Sequence, residues 1–308
     1  MDKSYADTVR LLLQVTPDVF RNDIFAMKGG TAINLFVRDM PRLSVDIDVV
    51  YLPRQVPRDQ ALSEIAAELD AVAKRLATLR VRTRTVPSGN LDETKLVVEN
   101  AKSQVKVEVN VVFRGTVLPP ERRTLTTRTA EMFSAELEAP LLATAELYGS
   151  KLVAAMDRQH PRDLFDVWKM FEAGDFSDEV VECFVTYLAG HNRPIHEVLF
   201  GNEKSIAAEY RNNFVGMTTE PVELATLEAA RTRLRTELPR RLTRNHREFL
   251  IGLSRAVPDW SLLSCPHAAQ LPALKWKLAN LEAFTKRQPK RSQEQTRILQ
   301  ERLEPKEI

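Results

Sequence analysis

The sequence predicts an α+β protein of two lobes, an N-terminal core over residues 1–139 and a helical lobe over residues 140–308. Three observations predict it. A length of 308 residues suits two domains of ordinary size. Strand-like alternation of apolar and charged residues is confined to roughly the first 135 positions, among helical patterns, whereas apolar spacings of three and four dominate from Pro140 onward. Hydrophobic residues at 44% and charged residues at 28% are an ordinary globular balance and argue against global disorder.

In chain order, Val9, Leu12, Leu13 and Val15 give residues 5–20 a helical spacing. A short segment then leads through Phe25-Ala26-Met27 to Lys28-Gly29-Gly30-Thr31, a glycine pair placed just before a helix-like run, Ala32–Phe36. Val45–Tyr51 alternates strictly and reads as a strand with Asp46 and Asp48 on one face, ended by Pro53 and Pro57. Residues 58–79 form an amphipathic helix through Leu62, Ile65, Leu69, Val72 and Leu76. Further strands are expected at Val81–Val86, Thr94–Glu99 and Gln104–Phe113, the last two joined as a hairpin. In the third, Val105, Val107, Val109 and Val111 point one way, and Lys106, Glu108 and Asn110 the other.

Ala139–Gln159 reads as one long helix, and Pro161 opens another that runs through Phe171, because proline is tolerated in a first turn. Helical patterns recur at 177–189, 203–213, 222–237, 240–255 and 271–287. The charged tail after Pro289 reads as a frayed helix or as disorder. No run approaches the ~18 apolar residues of a membrane helix, and the N-terminal residues lack the apolar stretch of a signal peptide, so no membrane association is expected and the cytoplasm is the expected compartment. Cys183 and Cys265 are far apart and predict neither a disulfide framework nor a zinc site, and the five histidines show no metal-ligand spacing.

The formal net charge of +2 averages over unlike parts. Lys and Arg balance Asp and Glu at 20 each over residues 1–150, fall behind at 7 against 14 over 151–230, and lead by 17 to 8 over 231–308. A basic segment concentrates polyanions, and Arg231, Arg233, Arg235, Arg240, Arg241, Arg244 and Arg247 suit a nucleic-acid backbone; a solvated helical face is the competing reading.

Asp46 and Asp48, two residues apart on a strand, project to one side and suit a hard divalent cation. The Gly29-Gly30 pair lets backbone N–H groups approach a phosphate at a helix N-terminus. Each signal is weak alone, but together, with Lys28 before them and Arg42 and Ser44 between, they describe a site for a metal-bound nucleoside triphosphate. Glu108 reads either as a third ligand, if its strand neighbours that of Asp48, or as an exposed glutamate on an open sheet face. Downstream, Lys151 and Arg158 fall on one helical face, with Asp163 and Asp166 three apart on the next helix. An ammonium suits a triphosphate and the carboxylates a proton or a hydroxyl, while a salt-bridge network that also draws in Asp157 and Arg162 is the other reading.

The segments KGGTAINLF, RLSVDIDVVY, VKVEVNVVFRG and SKLVAAMDRQHPRDLFDVWKMFE, in that order from about Tyr5 to Phe171, resemble the AbiEii/AbiGii-type nucleotidyltransferase toxins of type IV toxin–antitoxin and abortive-infection systems. LPALKWKLANLEAF at 271–284 looks like the C-terminal helix of that family. The resemblance implies a polymerase-β-like lobe with a mixed sheet, a helical C-terminal lobe and transfer of a nucleotide from a nucleoside triphosphate with Mg²⁺ or Mn²⁺. It implies an RNA acceptor, the 3′ end of tRNA, and a cognate antitoxin as partners. Residue by residue it matches Gly30 and Thr31 to the phosphate-side turn and Asp46 and Asp48 to the metal pair. Lys151 matches the motif lysine, and Asp163 and Asp166 the later carboxylates. Transfer to a protein or small molecule, and a toxin that binds the triphosphate without turnover, are the alternatives.

Overall fold

Alternation of valine with charged residues builds the middle of a mixed sheet. In the computed structural model, which describes residues 3–87 and 93–304, the first elements are α1 (Lys3–Val19), β1 (Phe25–Lys28) and α2 (Gly29–Ala32), whose turn continues as π-helix over Ile33–Val37. Then follow β2 (Asp46–Tyr51), α3 (Arg58–Leu76), β3 (Arg82–Pro87), β4 (Glu93–Glu99), β5 (Gln104–Asn110), β6 (Glu121–Thr124), α4 (Thr127–Phe133) and β7 (Glu138–Leu141). Among the described residues the sheet has seven strands in the order β3-β4-β5-β2-β1-β7-β6. β2 runs parallel to β5 and β1 parallel to β7; the other neighbours are antiparallel.

One face of this sheet is the core of its unit. Ile47, Val49, Leu96, Val98, Val105, Val107 and Val109 are fully buried, against α1 and α3. Each contributes ~1.5–3 kcal/mol by leaving water, which fixes the register, since a slip of one residue would exchange the two faces. β5 ends at Asn110, three residues before the expected limit, because its Oδ1 accepts hydrogen bonds from the backbone N–H groups of Val112 and Phe113 and turns the chain.

Two further expectations are corrected here. The helix expected over Ala139–Gln159 is divided: Glu138–Leu141 is strand β7, with Pro140 opposite Arg122 of β6, and the helix starts at Thr144. Proline biases the residue before it toward extended backbone, and pairing of Met27 with Leu141 secures the strand. The glycine pair does not precede its helix but forms the first turn of α2.

The chain divides into two compact units, Met1–Leu147 with Gly216–Pro221, and Tyr148–Val215 with Val222–Ile308. The division falls within α5 (Thr144–Arg158), whose buried Glu146 accepts hydrogen bonds from Val117 N (2.9 Å) and Leu118 N (3.0 Å). Gly216–Pro221 joins the first unit through Leu43 N to Met217 O (2.8 Å) and Thr219 N to Pro41 O (3.1 Å).

Among its described residues the second unit is helical: the rest of α5, then α6 (Pro161–Glu172), α7 (Asp178–Ala189), α8 (Ile195–Phe200), α9 (Ala207–Asn213), α10 (Leu224–Arg241), α11 (Arg244–Ser254), α12 (Pro272–Arg287) and α13 (Pro289–Leu303). The tail after Pro289 is therefore an ordered helix as far as Leu303, and residues 305–308 lie outside the described residues. Its buried Ser292, Thr296, Leu299 and Leu303 fall at spacings of three and four and pack α13 against α8, α11 and α12.

α5 meets α7 through Gly149, where an added Cβ would lie 2.5 Å from Cys183 Cβ and 2.7 Å from Phe184 N. Backbone cannot yield there as a side chain does. Gly149→Ala is expected to cost about 1–3 kcal/mol despite its better helix propensity; an unchanged chemical-denaturation midpoint would contradict this close crossing.

Candidate active site

The first unit assembles most of the residues singled out around the glycine pair. Gly29 adopts φ +77°, a conformation that favours glycine, and a Cβ there would come within 2.2 Å of Asp48 Oδ2. At Gly30 a Cβ would lie 2.7 Å from Arg42 Nη2 and 2.9 Å from Ser44 Oγ. The two glycines therefore let a carboxylate, a guanidinium and a hydroxyl close on one turn of backbone. Lys28, at the end of β1, stands in register with Asp48.

Thr31 and Asn34 hold that turn in place. The fully buried Thr31 hydroxyl donates to the carbonyl of Asp46 (2.5 Å) and lies 3.0 Å from Ser44 Oγ, tying α2 to β2. Its side chain thus positions the turn and is closed to solvent. Asn34, equally buried, donates to Gly30 O at 2.9 Å, a tie that its place four residues on in the helix could have signalled. Arg42 is 3% exposed and donates to Leu43 O at 2.9 Å.

Asp46 and Asp48 share a face of β2, and the parallel register with β5 places Lys106 beside Asp46 and Glu108 beside Asp48. The neighbourhood expected for Glu108 is present, but its carboxylate pairs with Lys95 of β4 at 3.0 Å. Among the described residues no three His, Cys, Asp or Glu side chains form a metal-binding group. The carboxylates on this face of β2 and β5 are those of Asp46, Asp48 and Glu108. Two or three carboxylates side by side suit a hard divalent cation.

The second unit buries a separate charge cluster. Lys151 on α5 places its Nζ 3.0 Å from Asp163 Oδ1 and 3.0 Å from Asp166 Oδ2 on α6, and all three residues are buried. Arg158, largely exposed, adds a 2.8 Å contact to Asp163. Two positive and two negative groups thus balance. Asp157 turns away to Arg193, and Arg162 is exposed, so the ion-pair network is smaller than the spacing alone suggested. His160 caps α6 by accepting from Arg162 N, and Pro161 fills the first turn. Burial holds the His160 imidazole below its ordinary range.

The basic segment is largely occupied with its own fold. Arg231 is buried, donates to Lys204 O and meets Glu203 at 3.2 Å. Arg233 binds Glu237 at 2.8 Å and covers the Phe171 ring; Arg235 reaches Gly201 O; Arg241 holds Asp178 at 2.6 Å and covers Phe176. Arg244 pairs with Glu248 at 2.6 Å and Arg247 donates to Pro239 O at 3.5 Å. These contacts hold the helices of the unit together, while Arg233, Arg240 and Arg244 stay exposed on its surface.

The AbiEii family profile, described as nucleotidyl transferase AbiEii toxin of a type IV TA system, matches residues 10–280. Among solved structures, MenT4, a nucleotidyltransferase toxin from Mycobacterium tuberculosis H37Rv, is similar with a TM-score of 0.59 and 18% sequence identity. That match covers 88% of this chain and 93% of MenT4, and at such identity the likeness is one of fold. No curated protein sequence matches the chain.

Two outcomes follow from the geometry. Gly29→Ala, by displacing the Asp48 carboxylate, is expected to weaken Mn²⁺ binding about tenfold or more, read by electron paramagnetic resonance; wild-type affinity would refute the cradle. Lys151→Met removes the cation shared by two buried carboxylates, leaving Arg158 at Asp163, and is expected to cost about 3–5 kcal/mol of stability, with part regained on adding Asp163→Asn and Asp166→Asn. No regain in the triple variant, by chemical denaturation, would count against this account.

Proposed function

This chain belongs to the AbiEii family of nucleotidyltransferase toxins, and from that premise we propose that it transfers a nucleotide from a nucleoside triphosphate to RNA, at the 3′ end of tRNA, with Mg²⁺ or Mn²⁺. The observation that carries the proposal is the approach of Asp48 to the bare backbone of Gly29, beside Asp46 and the Arg42–Ser44 pair. It joins a hard-cation donor pair to a phosphate-binding turn in one unit.

Asp46 and Asp48 hold the metal. A divalent cation at that place supplies polarisation of the α-phosphate and offsets the charge that develops on it. The N–H groups of the α2 turn, with Lys28, Arg42 and Ser44 around them, hold the phosphates, and Thr31 and Asn34 keep the turn rigid. The acceptor hydroxyl oxygen bonds to the α-phosphorus as the α–β anhydride bond breaks. Pyrophosphate leaves and the hydroxyl proton passes to solvent. In the second unit Lys151 takes the role of the family's motif lysine toward the nucleotide, with Asp163 and Asp166 fixing its ammonium; this assignment rests on motif order. Glu108, engaged by Lys95, shapes the field beside Asp48. An antitoxin is the partner that the type IV description implies. Among the described residues no helix is long and apolar enough to cross a membrane.

The test is incubation of the purified chain with each α-labelled triphosphate, Mg²⁺ and total RNA. Labelled RNA is expected, lost on adding EDTA and in Asp46→Ala and Lys151→Ala. Label in a protein or a small product would move the acceptor to another class, and triphosphate binding with no labelled product would replace the enzyme with a sequestering toxin.

A further inference from the structure

The open face of the sheet carries cations in a row that begins at the aspartate pair. Cross-strand register aligns Asp46 of β2 with Lys106 of β5, Lys106 with Val97 of β4, and Val97 with Arg84 of β3. Partners in register point to the same side, so Lys106 and Arg84 stand on the face of Asp46 and Asp48, and Arg82, two residues along β3, joins them. At about 4.8 Å between strands and ~3.3 Å per residue, Lys106, Arg84 and Arg82 lie roughly 5, 14 and 16 Å from Asp46. All three are exposed, and among the described residues none is in an ion pair. This separates them from Arg231, Arg233, Arg235, Arg241 and Arg244.

We propose that this face is the track on which a single-stranded polyanion, the acceptor RNA next to its reacting end, lies as it leaves the metal pair, with Lys106, Arg84 and Arg82 meeting its phosphates. The inference rests on the nucleotidyltransferase reading for the direction of the strand and on the register for the surface. Other charges on the face are Lys95 with Glu108, which neutralise one another at 3.0 Å, and Glu99, opposite Arg82. Beyond the aspartate pair, whose charge a bound cation would offset, Lys106, Arg84 and Arg82 outnumber Glu99, so the stretch from Lys106 to β3 is positive. No aromatic side chain stands among the residues of β3, β4 and β5 described on this face, so stacking contributes nothing to base choice and phosphate contacts carry the affinity. A role confined to guarding the edge strand β3 against pairing would also place arginines there, but it would not extend to Lys106 in the sheet interior.

The measurement is fluorescence anisotropy of a fluorescein-labelled single-stranded RNA with the full chain, from about 50 to 200 mM KCl. The triple variant Arg82→Ala, Arg84→Ala, Lys106→Ala is expected to bind at least tenfold more weakly and to lose about 2 from the log–log salt slope, at ~0.7 per phosphate contact. Arg82→Lys, Arg84→Lys, Lys106→Arg keeps the charge and is expected to retain both, and oligonucleotides of different sequence are expected to bind alike. Thermal melting of each variant confirms its fold. An unchanged affinity and slope in the alanine variant, or no binding by the native chain, overturns the track. Failure of the enzymatic reading is separate: salt-dependent RNA binding that needs these residues, without label transfer from any triphosphate, leaves the surface standing and removes the reaction.

Discussion

A carboxylate packed against a backbone without side chains is the constraint on which the first unit is organised. Asp48 reaches the α2 turn only because Gly29 has no Cβ, and Gly29 takes up the turn only because its φ of +77° is open to it. The sheet imposes the encounter. β2 is held between β1 and β5, with Lys28 opposite Asp48 on one side and Glu108 beside it on the other. The valines of the opposite face set that register through burial, so packing on one side of the sheet positions chemistry on the other.

The second unit solves a different problem, that of burying charge. An isolated ammonium at Lys151 would cost several kcal/mol in the interior, and so would either aspartate. Their mutual contacts, with Arg158 at the rim, offset most of that cost without making the cluster a source of net stability. A nonpolar set of similar volume would pack there more cheaply.

Legibility in the sequence followed the strength of local pattern. β2, β4, β5 and α3 were readable because alternation or a three-four spacing persists through them. β1 and β7 were not: four residues long and set between neighbouring strands, they show no alternation, and pairing with β2, β6 and one another makes them strands. The aspartate pair and the glycine turn were readable as types and spacing. The engagement of Glu108 by Lys95 was not, because it depends on the register of two strand pairs brought together across the sheet. Nor could the sequence foretell that Thr31 would turn its hydroxyl to the Asp46 carbonyl, since that bond requires α2 to dock on β2.

The charge balance shows the same limit from the side of electrostatics. Residues 231–308 carry the largest excess of cations, yet Arg231, Arg233, Arg235, Arg241 and Arg244 meet carboxylates, carbonyls or rings of their own unit. The first unit is nearly neutral by count, but its sheet sorts the charges by side, and Lys106, Arg84 and Arg82 come to one face beside two aspartates. A polyanion on the proposed track would meet that arrangement and not the segment sum, because screening confines the interaction to about a Debye length, ~8–10 Å, of each charge. Strand register is what sets Lys106 beside Asp46 and carries the row on to Arg84, so on that proposal register, not composition, decides the surface.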